Sequence, residues 1–385
     1  MKTRDLSLSA MLLPPCIAAY TQPALAQQWC QRVQGSRPLF LACLGFTETA
    51  LIPGISAAGA TPSLRRYTAL ADGEVLLTGR SQRLPTSPEG YPSPVVISRA
   101  VLSELGIPCG VFDCGLLEPL PGAEKVPSGG PARCLSTGQA LSLEQVRALW
   151  REGYERGSQL EASYCVVGEC VAGGTTTALA VLLGLGWQAD GMVNSSHPVC
   201  NHTQKLALAQ RGLKNLPSTA TAPEVVATVG DPVQPFVAGL AMAAAQRGPV
   251  LLAGGTQMLA VLALMRRWGE EQGILWPPEN VVVGTTRWVA EDPSGNTVGL
   301  AEMLGNVCLL ATQLSLAQSR YPSLQAYEQG YVKEGVGAGG LAIASSLYAG
   351  WGQAELLAAV ERSYEQLVLQ AGSSGAIVRP SRSNC

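Results

Sequence analysis

Residues 230–255, GDPVQPFVAGLAMAAAQRGPVLLAGG, contain two patterns that together indicate a fold class. The segment 236–248 is rich in small apolar residues and ends in glycine, which is typical of a buried helix with a glycine cap. The run 249–255 that follows is apolar without alternation, as in a strand covered on both faces. A buried helix that leads into a buried strand predicts a parallel sheet with helices on both faces.

Apolar runs of the same kind, ending near Gly, Ser or Thr, recur along the 385-residue chain. They predict further strands within 38–49, 74–79, 109–115, 163–169, 225–231 and 281–286. Helix-like segments separate several of these runs, and one of them, 142–160, opens with Ser142 and Gln145 at the spacing of a capping box. The fold class that we expect is therefore α/β, with a doubly wound, mostly parallel, Rossmann-like sheet.

The composition argues against several classes of partner. Apolar residues make up 47% of the chain and charged residues 14%, and the net charge is −2. The chain therefore has neither the basic patch that nucleic acid requires nor a polybasic segment for a membrane surface. The apolar run 248–265 approaches the length of a membrane span, but Gly254–Gln257 interrupt it and favour a strand, a loop and a core helix. We expect no nucleic-acid partner and no membrane contact.

The cysteines point to a reducing compartment. The chain has 11 of them, none in Cys-x-x-Cys spacing, and only two histidines, His197 and His202. This set offers little for a zinc site and favours free thiols. Residues 1–28 have a basic start and an Ala-Leu-Ala exit like a secretory signal, yet Pro14, Pro15 and Pro23 break the apolar stretch. We therefore expect a cytoplasmic protein without a bound metal.

The predicted strands end in residues suited to binding a phosphorylated sugar. Ligands in doubly wound sheets bind beyond the carboxyl ends of the strands, where glycine lets backbone N–H groups approach and hydroxyls add uncharged donors. Here those ends carry Thr47-Glu48-Thr49, Gly168-Glu169, Gly230-Asp231, Gly254-Gly255-Thr256 and Gly284-Thr285-Thr286. We expect a ligand cleft along this edge of the sheet.

Near the end of the chain, Gly335-x-Gly337-x-x-Gly340 matches the spacing of a dinucleotide-binding fingerprint. That fingerprint needs a strand directly before its first glycine, whereas residues 325–334, QAYEQGYVKE, are polar and do not alternate. The other interpretation is that the glycines form a turn and a helix start whose backbone donors hold Glu334. We favour this second interpretation and keep an NAD-dependent oxidoreductase as the weaker alternative.

Four stretches, in order along the chain, resemble one family of enzymes. GECVAGGTTTA (168–178), HTQKLALAQRGL (202–213), residues 230–255 and KEGVGAGGLAIA (333–344) are similar to motifs of the nicotinate-nucleotide:dimethylbenzimidazole phosphoribosyltransferases of cobamide assembly, most of all to their cyanobacterial and archaeal branch. The likeness spans roughly residues 20–360. It implies an active site in which Glu334 is the general base and Lys205 contacts a phosphate.

The resemblance and the strand-end positions together give a candidate site. Glu334 and Glu169 are the candidate catalytic residues, with Glu169 stabilising positive charge or positioning the base. The candidate substrate-binding residues are Gly173, Gly174, Thr175, Thr176, Lys205, Asp231, Gly254, Gly255, Thr285, Gly335 and Gly337. Lys205 and the 173–176 loop would hold a 5′-phosphate, and Asp231 would accept from ribose hydroxyls.

The reaction that the resemblance implies is transfer of the 5-phosphoribosyl group from nicotinate mononucleotide to an aromatic base, dimethylbenzimidazole or adenine, for the nucleotide loop of a cobamide. The leaving nicotinate is a pyridinium and needs no general acid, so one carboxylate base is enough and we expect neither a metal nor a cofactor. Two departures leave the acceptor open: Thr47-Glu48-Thr49 stands in place of the family's Asp-His-Gly, and Gly174 in place of its Asn. A non-catalytic or diverged nucleotide-binding protein of the same fold is the alternative.

The same resemblance implies a domain arrangement. Residues 38–317 would form the α/β nucleotide-binding domain, and 20–37 with 318–371 a small helical domain over the cleft. Residues 1–19 have no counterpart in the family and would be a poorly ordered extension, and 372–385 would be a flexible tail. The expected partners are small-molecule substrates and a second copy of the chain in a homodimer.

Overall fold

The computed structural model of the chain describes residues 13–83 and 85–373. Within them the strands are β1 (Ile17–Ala19), β2 (Leu39–Gly45), β3 (Cys109–Gly115), β4 (Glu124–Lys125), β5 (Cys165–Cys170), β6 (Val250–Ala253), β7 (Val281–Thr286) and β8 (Leu309–Thr312). They form one sheet in the order β1-β8-β7-β6-β5-β2-β3-β4. All neighbouring strands are parallel except β1, which is antiparallel to β8. The expected α/β fold with a mostly parallel sheet is confirmed.

Helices cover both faces of this sheet. They are α1 (Pro23–Val33), α2 (Thr68–Thr78), α3 (Val95–Leu105), α4 (Leu143–Ser158), α5 (Gly174–Gly184), α6 (His202–Leu213), α7 (Ala222–Val229), α8 (Val233–Ala245), α9 (Thr256–Gln272), α10 (Arg287–Ala290), α11 (Thr297–Met303), α12 (Pro322–Gln325), α13 (Ala338–Ala349) and α14 (Gln353–Ser373). Short 3₁₀ helices occupy Glu48–Leu51, Leu64–Tyr67, Leu135–Thr137, Pro278–Asn280 and Ala326–Gln329. Two apolar cores result, one between the sheet and α4, α5, α7, α8 and α9, the other between the sheet and α1, α2, α3, α13 and α14.

The order of the strands reverses beside β5. The chain runs outward from β2 through β3 to β4, then returns to the other side of β2 and continues outward from β5 through β6 and β7 to β8. In open parallel sheets such a reversal leaves a crevice at the carboxyl ends of the two strands involved, because their connections leave in opposite directions. The fold therefore places a ligand crevice beyond Cys170 and Gly45.

Two of the expected strands are wrong. Residues 74–78 lie in α2 and Gly79 caps its end, while most of 225–231 lies in α7. Both apolar runs were mistaken for strands because each helix is buried over most of its surface. Such a helix shows no polar stripe that would reveal the helical period. The start of α7 did carry a signal, since Thr221 and Glu224 form a capping box and Pro223 occupies the first turn.

The strands that the sequence did not predict are short. β8 has four residues, β4 has two, and β1 has three. β1 lies inside the stretch 1–19 that we expected to be a poorly ordered extension, and its residues pair with β8 from Ile17↔Thr312 to Ala19↔Leu310. The Thr21 hydroxyl also stabilises the edge of the sheet at β8, because it donates to Val307 O at 2.6 Å and accepts from Leu309 N at 2.9 Å.

The C-terminal helices pack directly on the sheet. A Cβ at Gly340 would lie 2.3 Å from the Cβ of Ala253 in β6, so α13 approaches the strands more closely than a side chain would permit. α14 packs against α3 in the same core. The division into an α/β domain and a small helical domain stays a prediction, and residues 1–12 and 374–385 lie outside the described part of the chain.

Candidate active site

A cleft of about 920 Å³, including its open mouth, lies at the carboxyl ends of β5, β6 and β7. Of the residues proposed from the sequence, those that line it are Glu169, Gly173, Gly174, Thr175, Gly255, Glu334 and Gly335. The sequence thus brings residues from three distant segments to one crevice.

Glu334 lies half-buried in the cleft wall, held by four neighbouring donor groups. Oε2 accepts from the Thr285 hydroxyl at 3.1 Å and from Thr286 N at 2.9 Å, and Oε1 accepts from Gly335 N and Gly339 N, each at 3.1 Å. Burial raises the pKa of Glu334 to about 7, although each of these hydrogen bonds lowers it. A carboxylate with this pKa is suited to accept a proton near neutral pH.

The glycines after Glu334 make a turn and a helix start that follow no strand. The nearest preceding regular element is the short 3₁₀ helix at Ala326–Gln329, and Gly337 caps α13 with a φ of 74°. A Cβ on Gly339 would lie 2.1 Å from the carbonyl carbon of Thr285, so this glycine permits contact between α13 and β7. The strand that a dinucleotide fingerprint requires is missing among the described residues before Gly335, which removes the basis for an NAD-dependent oxidoreductase.

The segment that carries Glu334 has an unusual backbone. Val332, Lys333 and Val336 adopt φ values of 64°, 42° and 55°, in the left-handed region that β-branched residues avoid. A buried ion pair secures the segment, since Lys333 Nζ lies 2.5 Å from Asp292 Oδ2 and their side chains are 3% and 1% exposed. Strain of this kind persists only where surrounding contacts impose it, so the ion pair helps to fix the position of Glu334.

Glu169 ends β5 beside the same segment. Its carbonyl oxygen accepts from Val336 N at 3.0 Å, and its side chain lines the cleft. Burial, together with the neighbouring charges of Asp231 and Glu334, raises the pKa of Glu169 to about 8. Glu334 therefore lies close enough to Glu169 to raise the pKa of that carboxyl group.

The turn between β5 and α5 also lines the cleft. Gly173, with a φ of 83°, precedes the first turn of α5, and Gly174 and Thr175 begin that helix facing the cleft. The fully buried Lys205 donates to the Thr175 hydroxyl at 2.8 Å and to the Asn194 carbonyl oxygen. Burial lowers the pKa of Lys205 to about 8. The start of α5 thus places the Thr175 hydroxyl in front of a buried cation, which favours an anion.

The remaining candidates lie behind the wall of the cleft. Asp231 is fully buried, and its carboxylate accepts from Thr177 Oγ1 at 2.6 Å, from Gln257 Nε2 at 2.7 Å and from two backbone N–H groups of α8. Its contact is therefore with Gln257, which lines the cleft, and not with the cleft itself. Thr176, Lys205, Gly254, Thr285 and Gly337 also lie outside the lining.

The segment Thr47-Glu48-Thr49, where this chain departs from the family motif, turns away from the cleft. The Thr49 hydroxyl accepts from Leu135 N at 3.0 Å, and the Glu48 carboxylate accepts from Cys134 N at 3.2 Å. These side chains tie the end of β2 to the loop before α4. The structure gives them no place in the lining of the cleft.

One acidic residue of the cleft, Asp72, was not predicted from the sequence. A polar loop, Asn194 to Ser196, was not included in the candidate site although it lines the cleft. Asp72 in α2 lines the cleft at 2% exposure, and burial raises its pKa to about 6. It was overlooked because the run beside it resembled a strand. Asn194, Ser195 and Ser196 also line the cleft, and their run of amide and hydroxyl groups beside His197 was the available signal.

Neither a metal cluster nor a membrane-spanning helix is found among the described residues. No group of three or more His, Cys, Asp or Glu side chains in 13–83 and 85–373 is placed to hold a metal ion. No helix within those same ranges has both the length and the apolarity to cross a membrane.

Known proteins resemble this chain in sequence and in fold. A family model described as "Phosphoribosyltransferase" matches residues 98–270, which include Glu169 and Lys205 and end before Glu334. Among solved structures, CobT from Thermus thermophilus superposes with a TM-score of 0.60 at 18% identity, covering 88% of this chain and 92% of that one. A structure titled nicotinate-nucleotide-dimethylbenzimidazole phosphoribosyltransferase from the same organism gives 0.56 at 18% identity, covering 93% and 95%. At that identity the likeness establishes the fold.

Curated relatives are much closer in sequence. A UPF0284 protein of Gloeobacter violaceus is 58% identical over 358 residues, which are 92% of this chain and 94% of that protein. A UPF0284 protein of a Cyanothece species is 56% identical over 371 residues, 93% and 100% of the two chains. With identity this high along almost the whole of both chains, the chain belongs to the UPF0284 family, and its residues 98–270 match the phosphoribosyltransferase model.

Proposed function

We propose that this protein transfers the 5-phosphoribosyl group of nicotinate mononucleotide to an aromatic base, with Glu334 as the general base and without a metal. The observation that supports this most is the Glu334 carboxylate, which lines the cleft together with the Gly173–Thr175 turn and has a pKa of about 7. Dimethylbenzimidazole and adenine are both candidate acceptors, and the product would serve the nucleotide loop of a cobamide.

The reaction follows from the charges of its participants. A ring nitrogen of the acceptor attacks C1′ of the ribose while the bond from C1′ to the nicotinate nitrogen breaks. The electron pair of that bond goes to the leaving nitrogen and neutralises its pyridinium charge, so the leaving group needs no proton. The acceptor must lose its N–H proton, which passes to the Glu334 carboxylate. One base of matched pKa is therefore sufficient for this chemistry.

The phosphate would lie at the start of α5. Gly173, Gly174 and Thr175 line the cleft there, Thr175 presents its hydroxyl, and Lys205 adds a positive charge behind Thr175. Helix starts favour anions because their first N–H groups have no partner within the helix. With the phosphate bound there and the acceptor beside Glu334, the ribose spans the middle of the cleft, next to Glu169.

Glu169 would act on the sugar. Positive charge develops at the ribose as the bond to nicotinate breaks, and a nearby carboxylate stabilises such charge in a site shielded from water. Its position at the end of β5, tied to the Glu334 segment through Val336 N, suits this role. With a pKa of about 8, Glu169 is mostly protonated at neutral pH, so its contribution as an anion would grow as the pH rises.

The test is release of nicotinate from nicotinate mononucleotide in the presence of dimethylbenzimidazole, adenine or a phenol. We expect release that requires a base and falls by about 10²- to 10⁴-fold in Glu334→Gln. Glu302→Gln, at an exposed position of α11, is the matched control and should leave the rate unchanged. Nicotinate release at the wild-type rate from a folded, nucleotide-binding Glu334→Gln variant would refute the assignment of the base.

Absence of release with every base, from wild-type protein that still binds the nucleotide, would instead favour the diverged binding protein. The homodimer inferred from the family stays a prediction, and sedimentation velocity of the purified chain tests it directly.

A further inference from the structure

One oxygen of the Asp72 carboxyl group has no hydrogen-bond partner among the described residues. Asp72 lies in α2 at 2% exposure among the residues that line the cleft. Oδ2 accepts a hydrogen bond from the Cys170 thiol at 3.1 Å, but Oδ1 is buried without a partner anywhere in the described part of the chain. Buried carboxyl oxygens are rarely left unpaired in native proteins, because desolvation without a hydrogen bond is costly. The Oδ1 atom is therefore an acceptor that no described group satisfies, on a residue that lines the cleft.

Asp72 lies on the same side of the cleft as Glu334. Tyr327, which packs in the core beneath this wall, is influenced by the charges of both carboxylates. The wall continues through Pro94, since a Cβ on Gly335 would lie 3.5 Å from the Pro94 ring, and the Ser93 hydroxyl next to it lowers the pKa of Asp72. An acceptor base that presents its N–H to Glu334 thus lies along a wall that carries Asp72.

Within the described residues, no neighbour of Asp72 is hydrogen-bonded to Oδ1. Pro85, Pro94 and Val171 contribute apolar surface to this cleft. A ring bearing only methyl groups would cover Oδ1 without satisfying it. A ring bearing an amino group would donate an N–H to it. A polar site rejects an analogue that lacks the matching group more strongly than an apolar pocket rejects an extra group.

We propose that Asp72 selects the acceptor, so that this protein prefers an amino-substituted heteroaromatic base over one that carries hydrocarbon substituents alone. The inference rests on the proposed transferase function and names the acceptor class of that same site. Asp72 would accept a hydrogen bond from the exocyclic amino group of the base, while Glu334 takes the ring proton.

The test compares adenine with purine, which differ only by that amino group. We expect wild-type kcat/KM for transfer to be at least about tenfold higher with adenine, which corresponds to one hydrogen bond to a charged or desolvated carboxyl group. Asp72→Leu, which removes the acceptor oxygen, should bring the ratio close to one and raise the rate with dimethylbenzimidazole relative to adenine. Asp72→Asn keeps an acceptor oxygen and should retain most of the preference.

Glu74→Leu is the matched control, because Glu74 lies in the same helix but does not line the cleft. It should keep the wild-type ratio. Equal kcat/KM for adenine and purine in the wild-type protein would overturn the inference, since a water would then satisfy Oδ1; this outcome requires no variant to fold. A ratio that Asp72→Leu leaves unchanged would overturn it as well.

A second measurement separates this inference from the proposed function. If no base is ribosylated, the transferase proposal fails, and equilibrium binding of adenine and purine to the wild-type protein still tests Asp72. Tighter binding of adenine that Asp72→Leu abolishes would support amino-group recognition by a protein without turnover. Equal binding would overturn it.

Discussion

The Thr285 hydroxyl donates a hydrogen bond to Glu334 Oε2 at 3.1 Å and so joins the end of β7 to the proposed general base. This bond is one of several that lower the pKa of Glu334 against the effect of burial. Its removal can therefore be detected through the ionisation of the base, without any loss of the carboxylate itself.

Thr285→Val should shift the pH dependence of the reaction. Burial is unchanged while one stabilising donor is lost, so the pKa of Glu334 rises above about 7. Because the ionised carboxylate is the active form, the acid limb of the profile of kcat/KM should move to higher pH, by about one unit for a hydrogen bond to a charged group. The profile is measured from nicotinate release between pH 5 and 9.

Thr286→Val is the control for this shift. The Thr286 hydroxyl donates to Lys333 O at 2.7 Å, and only its backbone N–H, which valine keeps, contacts Glu334. The acid limb should therefore stay in place. An unshifted limb in Thr285→Val would contradict the role of Glu334 as the titrating base.

Lys205→Met should weaken binding of the phosphate and little else. Lys205 supports Thr175 from behind the start of α5, and a hydrogen bond to a charged group contributes about 1.5–3 kcal/mol. The KM for nicotinate mononucleotide should rise by about ten- to a hundredfold, whereas turnover of the riboside, which lacks the phosphate, should not change. Lys214→Met, at an exposed lysine just past the same helix, should affect neither substrate. An equal loss for both substrates would mean that Lys205 supports the fold.

The buried ion pair between Lys333 and Asp292 should contribute to stability in a way that only a double variant reveals. Lys333→Met or Asp292→Asn alone leaves a buried partner unpaired and should lower the free energy of unfolding by about 3–5 kcal/mol. The double variant should lose much less than the sum of the two losses. Chemical denaturation of the four proteins measures the coupling, and additive losses would contradict a direct interaction.

The same pair gives a pH prediction for stability. Burial raises the pKa of Asp292, but the hydrogen bonds from Lys333 and Asn194 outweigh it, and the net shift is downward. A lowered pKa means that the stabilisation is fully present above the unfolded value of about 3.9 and is lost as the pH falls through the folded value. Asp292→Asn should therefore unfold with less dependence on pH below about 4 than the wild-type protein, which denaturation in acid measures.

Gly339→Ala should damage both the fold and the reaction. The new Cβ would lie 2.1 Å from the carbonyl carbon of Thr285 and 2.5 Å from Glu334 Oε2, so α13 must move away from β7. We expect a loss of about 1–3 kcal/mol in unfolding free energy together with slower nicotinate release. Gly248→Ala meets its nearest atom at 3.6 Å and should have little effect. Retention of full activity by Gly339→Ala would show that this close approach is not required.

Sequence patterns predicted the strands β2, β3, β5, β6 and β7 because buried parallel strands are apolar throughout and end in small residues. They also predicted that Glu169 and Glu334 would share a cleft, and both line it. Glycine spacing alone was ambiguous at 335–340. The missing strand before it decided between the two interpretations.

The features of the site that the sequence did not predict depend on contacts between segments that are distant along the chain. Lys333 and Asp292 are 41 positions apart, and no local pattern indicates that these two charges form a buried pair. Asp72 was hidden for a similar reason, because α2 is apolar over most of its surface and lacks the stripe that reveals a helix. The positions of Asp231 and Thr176 behind the cleft wall likewise follow from packing that propensity does not describe.

The antiparallel pairing of β1 with β8 has a practical consequence for producing the protein. Without residues 13–19, the outer edge of β8 would be unpaired and would present free backbone donors and acceptors to other molecules. Exposed strand edges of this kind promote self-association. A version trimmed to begin at residue 20, as the family motifs alone would suggest, should therefore precipitate or form soluble aggregates at concentrations where the full chain remains dispersed. Light scattering of the two preparations would reveal the difference.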